Sequence, residues 1–228
     1  MKRRQGTVLL SPRKGGVMKV VAINGSPRKA GNCAQLLNIV ETEVKAAGVD
    51  FEILSPGADI RPCMACYKCL ENDDHRCIQT SDSINEIIEK CKEADGIILA
   101  SPVYHGNMSG SMKCIIDRLL LAGGCGSKSI FAHKPGAALC TVRRSGGTET
   151  YMQMLSSLAS MDMILVTSDY WNIIHGADPG EAVLDPEGVE VAKRLGKNMA
   201  WMVKVLAATK EQLPPPESCQ RTMTNFIR

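Results

Sequence analysis

Residues 18–48 read MKVVAINGSPRKAGNCAQLLNIVETEVKAAG, and this stretch decides the fold. MKVVAINGS (18–26) is an apolar run of strand length that ends in a Gly-Ser turn, so it reads as a buried strand. Cys33, Leu37, Val40, Val44 and Ala47 then recur at spacings of 4, 3, 4 and 3, which is one face of a helix, and Gly48 closes it. The same alternation continues downstream. VDFEILS (49–55) is a second strand, and SDSINEIIEKCKEA (81–94) sets Ile84, Ile87, Ile88 and Cys91 on one helical side, with Ser81 or Ser83 as the expected N-cap. GIILASPVY (96–104) is a third strand, SMKCIIDRLLLA (111–122) a third helix, GAALCTV (136–142) a fourth strand and MILVTSDYW (163–171) a fifth. Val191, Leu195, Met199, Met202 and Leu206 mark a long closing helix. Strands alternating with helices specify an α/β fold, a doubly wound five-stranded parallel sheet with helices on both faces. Such sheets bind ligands beyond the carboxyl ends of their strands, which directs attention to the loops after strands one, three and four.

The 228 residues are 44% hydrophobic and 22% charged, enough apolar material for one sizeable core and one domain over 18–208. The net charge of +3 is concentrated at the start, where Lys2, Arg3, Arg4, Arg13 and Lys14 precede Met18 with no acid among them. From Met18 onward 22 basic residues face 24 acidic ones, so the domain lacks the basic footprint of a nucleic-acid binder. No apolar run is long enough to cross a membrane, and Val8–Leu10 is too short for a signal-peptide core. Residues 1–17 are expected to be a disordered basic tail, with Met18 an alternative initiator, and 209–228, which holds LPPPESCQRTMTNFIR, an extended tail. Ten cysteines fall short of a disulfide scaffold, and four crowd into 63–77 at metal-ligand spacing, which points to a reducing cytoplasm.

The loop after strand one is GSPRKAGN (25–32), leading into a helix. A phosphate needs convergent N–H donors and a favourable dipole, and a Gly/Ser turn at a helix N-terminus supplies both. Ser26 adds a hydroxyl, Asn32 an amide and Arg28 a positive charge. The loop matches neither GxGxxG nor GxxxxGK[ST], so a single terminal phosphate fits better than a dinucleotide or ATP. The plain alternative is a loop whose Ser and Asn only cap the helix. After strand three stands SPVYHGNMSG (101–110), where Pro102 stiffens the turn, Gly106 and Gly110 permit close approach, and Tyr104 and His105 offer flat or polar surfaces to a planar ligand. After strand four stands TVRRSGGTETY (141–151), where Arg143 and Arg144 precede a Gly–Gly pair that opens the next helix.

These three loops resemble the FMN-binding loops of the flavodoxin-like NADPH-dependent FMN reductases, and particularly of their iron–sulfur flavoprotein branch. The resemblance runs from about Met18 to about Ala207 with the motifs in order. It implies a flavodoxin-like fold and an FMN phosphate held around Ser26, Arg28, Asn32 and Cys33. It further implies that Pro102, Val103, Tyr104, His105, Gly106 and Asn107 border the ring and ribityl chain, with Arg143, Gly146 and Gly147 near the ring. His105 stands where the family more often has an aromatic or apolar residue. A homodimer or homotetramer with flavins near subunit contacts is implied too.

PCMACYKCLENDDHRC, within an expected cysteine-rich loop over 60–80, places Cys63, Cys66, Cys69 and Cys77 at the spacing C-x2-C-x2-C-x7-C. Soft thiolates this close select zinc or iron–sulfur, and the compressed start is closer to a ferredoxin run than to paired zinc knuckles. By resemblance to the iron–sulfur flavoproteins the four would hold a [4Fe–4S] cluster beside the flavin of a neighbouring subunit; zinc, or no metal, remains open. His75 reads as a solvated loop residue, Cys91, Cys114 and Cys140 as core thiols, and Cys33 and Cys125 as accessible. Asp117 and Arg118 read as helix-surface residues that cap or pair. Tyr170, Trp171, Asn172 and His175 follow strand five at the carboxyl edge, where the resemblance puts a partner's flavin and a packing anchor is the plain alternative. Hydrolase motifs are absent from the sequence. The expected function is an FMN-dependent oxidoreductase drawing electrons from NAD(P)H or a reduced ferredoxin and passing them to a small-molecule or protein acceptor. The alternatives are a non-catalytic electron carrier or redox sensor, or a quinone or nitro-compound reductase without a cluster.

Overall fold

The computed structural model describes residues 16–126 and 128–216. Its strands are β1 (Lys19–Asn24), β2 (Asp50–Leu54), β3 (Gly96–Tyr104), β4 (Asn107–Met108), β5 (Pro135–Val142), β6 (Ile164–Leu165) and β7 (Ile173–His175). Its helices are α1 (Asn32–Ala46), α2 (Lys68–Asn72), α3 (Ile84–Glu93), α4 (Gly110–Gly124), α5 (Gly147–Ala159) and α6 (Pro186–Thr209). The sheet runs β2-β1-β3-β5 in parallel, β6 and β7 share the outer edge of β5, and β4 alone folds back antiparallel on β3. The order reverses between β1 and β3, which is the switch point where a doubly wound sheet opens a crevice.

Strands buried on both faces read as unbroken apolar runs, and the period of two sorts their side chains into two cores. Val20, Ala22, Ile98, Ala100, Ala137 and Leu139 face α1 and α6. Val21, Ile23, Ile97, Leu99, Ala138 and Cys140 face α3, α4 and α5. Among the described residues no helix is long and apolar enough to cross a membrane. The expected basic tail lies, apart from Gly16 and Val17, outside the described residues, as does the chain beyond Pro216.

The structure corrects three local expectations. Of the single fifth strand expected over 163–171 only β6 is strand, and a second short piece, β7, follows it. Between them the Ser168 hydroxyl accepts from Tyr170 N at 3.2 Å and donates to Tyr170 O at 2.6 Å, a turn that lifts the chain off the sheet. The chain returns at Asn172, whose carbonyl accepts from Cys140 N at 2.9 Å and whose side-chain amide donates to Ala138 O at 2.9 Å, replacing a missing ladder bond. Asn172→Ala should therefore destabilise the fold by about 1–3 kcal/mol, because a buried carbonyl loses its donor. An unchanged urea midpoint would contradict this.

The second correction concerns the loop after β3: the strand spans Gly96–Tyr104 as expected, but it turns back into β4, so the expected loop is a hairpin. His105 at φ +49° and Gly106 at φ +74° form its two-residue turn, the left-handed pair a tight hairpin requires. The third is the start of α3: Ser83 occupies the N-cap position without a side-chain bond, and the Asp82 carboxylate accepts from Ile84 N at 3.3 Å instead.

Candidate functional site

Three loops meet at the carboxyl edge beside the switch point. Gly25 N donates to Ala100 O at 2.8 Å, and the Ser109 hydroxyl, which caps α4 by accepting from Met112 N, donates to Gly25 O at 2.5 Å. Ser109 N in turn donates to the Ser101 hydroxyl at 2.9 Å. The first loop is thus lashed to the base of the hairpin. Gly146, at φ +87°, closes the third side: a Cβ there would stand 2.6 Å from Gly106 Cα and 3.1 Å from Val103 Cγ1. Only a glycine lets the loop after β5 touch the hairpin.

Within the first loop Ser26 is buried, and its hydroxyl accepts from Arg28 N at 3.1 Å, shaping the turn. Gly31 is the N-cap of α1, with no side-chain cap and no acid in the first turn. α4 and α6, by contrast, are capped by Ser109 and Asp185. Among the described residues no side chain caps the first turn of α1, and exposed Arg28 stands four residues before Asn32 in the same loop. The Asn32 side-chain oxygen accepts from Gly180 N at 2.9 Å and Ala182 N at 3.4 Å, tying α1 to the loop before α6. Cys33, expected to be accessible, is buried, with Sγ 3.2 Å from Thr141 Oγ1, and burial pushes its thiol up to about 12. Only its backbone N–H remains for a ligand.

In the second loop Pro102 lies within the ladder opposite Thr141, Val103 packs on the core, Tyr104 is exposed, and the Asn107 side chain accepts from its neighbour Met108 N at 2.8 Å. In the third, Arg143 is exposed at the end of β5, and Gly147 lies against Ile173. Gly146 and Gly147 also line a cleft of about 250 Å³ together with Arg144, Tyr170, Trp171 and His175. Tyr170 and Trp171 are exposed and 5.3 Å apart between ring centroids, whereas Asn172 is fully buried and structural.

The cysteine segment lies under α4. Cys63, Cys66, Cys69 and Cys77 line one small cavity of about 20 Å³ with Arg118. Ala65 at φ +51° and Tyr67 at φ +56° turn the chain between successive cysteines. Non-glycine residues held in the left-handed region cost of order 1–3 kcal/mol each and cluster at functional sites. Ala65 N donates to Cys63 Sγ at 3.4 Å, and Arg118 Nε to Cys77 Sγ at 3.4 Å. Burial, with Cys77 nearby, raises the Cys69 thiol. Donor type, shared cavity and N–H···S contacts fit a thiolate-bound centre. Among the described residues no three metal-ligating side chains close on one point as they stand. All nine cysteines among the described residues are free thiols, Cys91 and Cys140 are buried as expected, and Cys114 is only part-buried.

Arg118 overturns its surface reading. It is 1% exposed and pairs with the equally buried carboxylate of Asp82, while Asp117 does pair at the surface with Lys113 at 2.5 Å. In the sequence Arg118 interrupts an apolar helix face, which was the available signal; its partners lie far away in the chain.

The profile of the NADPH-dependent FMN reductase family matches residues 18–178. An iron–sulfur flavoprotein of Methanocaldococcus jannaschii is 33% identical over 202 residues, covering 83% of this chain and 99% of that protein. An iron–sulfur flavoprotein of Methanosarcina thermophila is 29% identical over 199 residues, covering 86% of this chain and 100% of that protein. Among solved structures, a flavodoxin from the domain Archaea superposes with a TM-score of 0.55 at 19% identity over 82% of this chain and 99% of its own, a likeness of fold. The chain has a flavodoxin-like fold and belongs to the NADPH-dependent FMN reductase family of oxidoreductases, in its iron–sulfur flavoprotein branch.

Proposed function

We propose that the chain binds one FMN at the carboxyl edge, takes electrons from NAD(P)H or a reduced ferredoxin, and delivers them to a small-molecule or protein acceptor. One observation carries the flavin reading: the N-terminus of α1, with no side-chain cap and no acid in its first turn, stands beside Arg28 at the carboxyl edge, where Gly25 is hydrogen-bonded to Ala100 and Ser109 and Cys33 meets Thr141. The first-turn N–H groups of Asn32 and Cys33, with Ser26 and Arg28, would hold a phosphate dianion through donors and a favourable dipole. Val103 to Asn107 and Arg143 to Gly147 would border a flat ring, their glycines admitting its edge close to backbone. Cys63, Cys66, Cys69 and Cys77 would hold a [4Fe–4S] cluster. When bound, the flavin exchanges electrons in pairs or singly, and the cluster singly. The exposed Tyr170 and Trp171 suit contact with a partner subunit in a homodimer or homotetramer, and the free thiols suit a reducing cytoplasm.

Heat release and chromatography of the bound cofactor test this: FMN is expected, and FAD, or no flavin after reconstitution, would contradict it. Arg28→Ala should weaken FMN binding about tenfold to a hundredfold, since a charge-assisted contact is worth ~1.5–3 kcal/mol. An unchanged flavin dissociation constant would mean that the loop is structural. A second reading, a quinone or nitro-compound reductase without a cluster, is favoured by thiols that share a cavity without closing on one point. Iron analysis of anaerobically purified protein separates the two.

A further inference from the structure

The guanidinium of Arg118 spends its donors on the cysteine segment. Nη1 donates to Arg61 O at 3.1 Å and to the Asp82 carboxylate, Nη2 to Gln79 O at 3.0 Å, and Nε to Cys77 Sγ at 3.4 Å. Arg61 and Gln79 stand two residues outside Cys63 and Cys77, so one planar fork from α4 gathers both ends of the segment that carries all four thiols. Asp82 completes the clasp by accepting from Arg61 N at 3.0 Å.

We propose that Arg118 is a positioning residue that fastens the two ends of the cysteine segment together, so that its four thiols line one cavity, and raises the reduction potential of the centre it carries; the second half rests on the iron–sulfur reading above. Three features support this. The fork geometry is specific to arginine, because a lysine ammonium offers a point charge that cannot span two carbonyls and a sulfur in one plane. The side chains of Arg118 and Asp82 are 0% and 2% exposed, and a buried ion pair is often no more stabilising than an apolar pair of similar volume, so its presence calls for a positioning reason. Finally, a cation and an N–H donor at a ligand sulfur stabilise the electron-richer state of a thiolate-bound cluster, and a low-dielectric setting strengthens that effect. Asp82 acts with the opposite sign and through the guanidinium, which is the group that donates to the Cys77 sulfur.

The opposition in sign gives the test. Asp82→Asn should shift the midpoint potential of the reconstituted, FMN-loaded full chain upward, because it removes the negative partner. The double variant Arg118→Gln/Asp82→Asn, which leaves no unpaired buried charge, should shift it downward. Spectroelectrochemistry under anaerobic conditions reads both shifts. A role confined to packing would move both the same way or neither, and either result overturns the tuning. In the metal-free full chain, hydrogen exchange should be at least tenfold faster over 61–79 in the double variant and unchanged in α1. Equal exchange over 61–79, or faster exchange throughout the chain, overturns the clasp. Iron-free unsubstituted protein would overturn the iron–sulfur reading and the tuning with it, while the exchange result still decides the clasp.

Discussion

Replacing any one of Cys63, Cys66, Cys69 or Cys77 by Ala is expected to remove most iron and acid-labile sulfide from the anaerobically purified protein. The four line one cavity and, as ligands of one cluster, would act as one chemical unit, because the loss of a single ligand would open the iron to solvent and oxidant. Cys114→Ala is the control: Cys114 lies on α4 outside that cavity's lining, and its loss should leave both elements in place. FMN should stay bound in all five variants, since the loops at the carboxyl edge take their turns from other segments. One-electron transfer to an acceptor should fall more than two-electron transfer to a quinone, because only the cluster obliges electrons to leave singly. Equal iron loss from Cys114→Ala would show the ligands to be wrongly assigned.

The second large effect is expected at Gly146. Valine there must hold φ near +87°, which costs of order 1–3 kcal/mol, and its Cβ would press on Gly106 Cα at 2.6 Å, backbone that cannot swing aside. The hairpin and the Gly146 loop should part, and flavin affinity should fall on the order of a hundredfold, equivalent to ~2.7 kcal/mol. Gly48→Ala separates strain from contact. Gly48 also has a positive φ, +76°, but a Cβ there meets nothing within 4 Å, so this variant should lose some stability and keep its flavin affinity. Equal loss of flavin in both variants would mean that backbone strain, rather than the contact between loops, governs the site.

The parts of the molecule that were readable from sequence are those whose cause is local. β1, β3 and β5 announce themselves because a strand covered by helices on both faces must be apolar at every position. α1 and α6 do so because one stripe recurs at helical spacing. What stayed hidden depends on partners remote in the chain. Arg118 lies between Asp117 and Leu119 on a helix, and nothing nearby tells that its guanidinium reaches carbonyls at Arg61 and Gln79. Nothing near Asn32 in the sequence tells that its side-chain oxygen accepts from backbone at Gly180 and Ala182. The break between β6 and β7 is invisible to periodicity because a side-chain amide, that of Asn172, stands in for a ladder bond. The His105–Gly106 turn was quoted in the sequence as part of a loop; a hairpin reading needed the recognition that two left-handed residues in a row suit a two-residue turn.

Whether one chain carries both FMN at the edge of the sheet and a four-cysteine centre under α4 is tested most directly by the absorption spectrum of freshly purified protein, recorded anaerobically. Flavin bands close to those of free FMN, on a broad shoulder toward longer wavelengths that bleaches on reduction, are the expected result. A spectrum without flavin bands, or flavin bands with no shoulder in protein never exposed to oxygen, would contradict it.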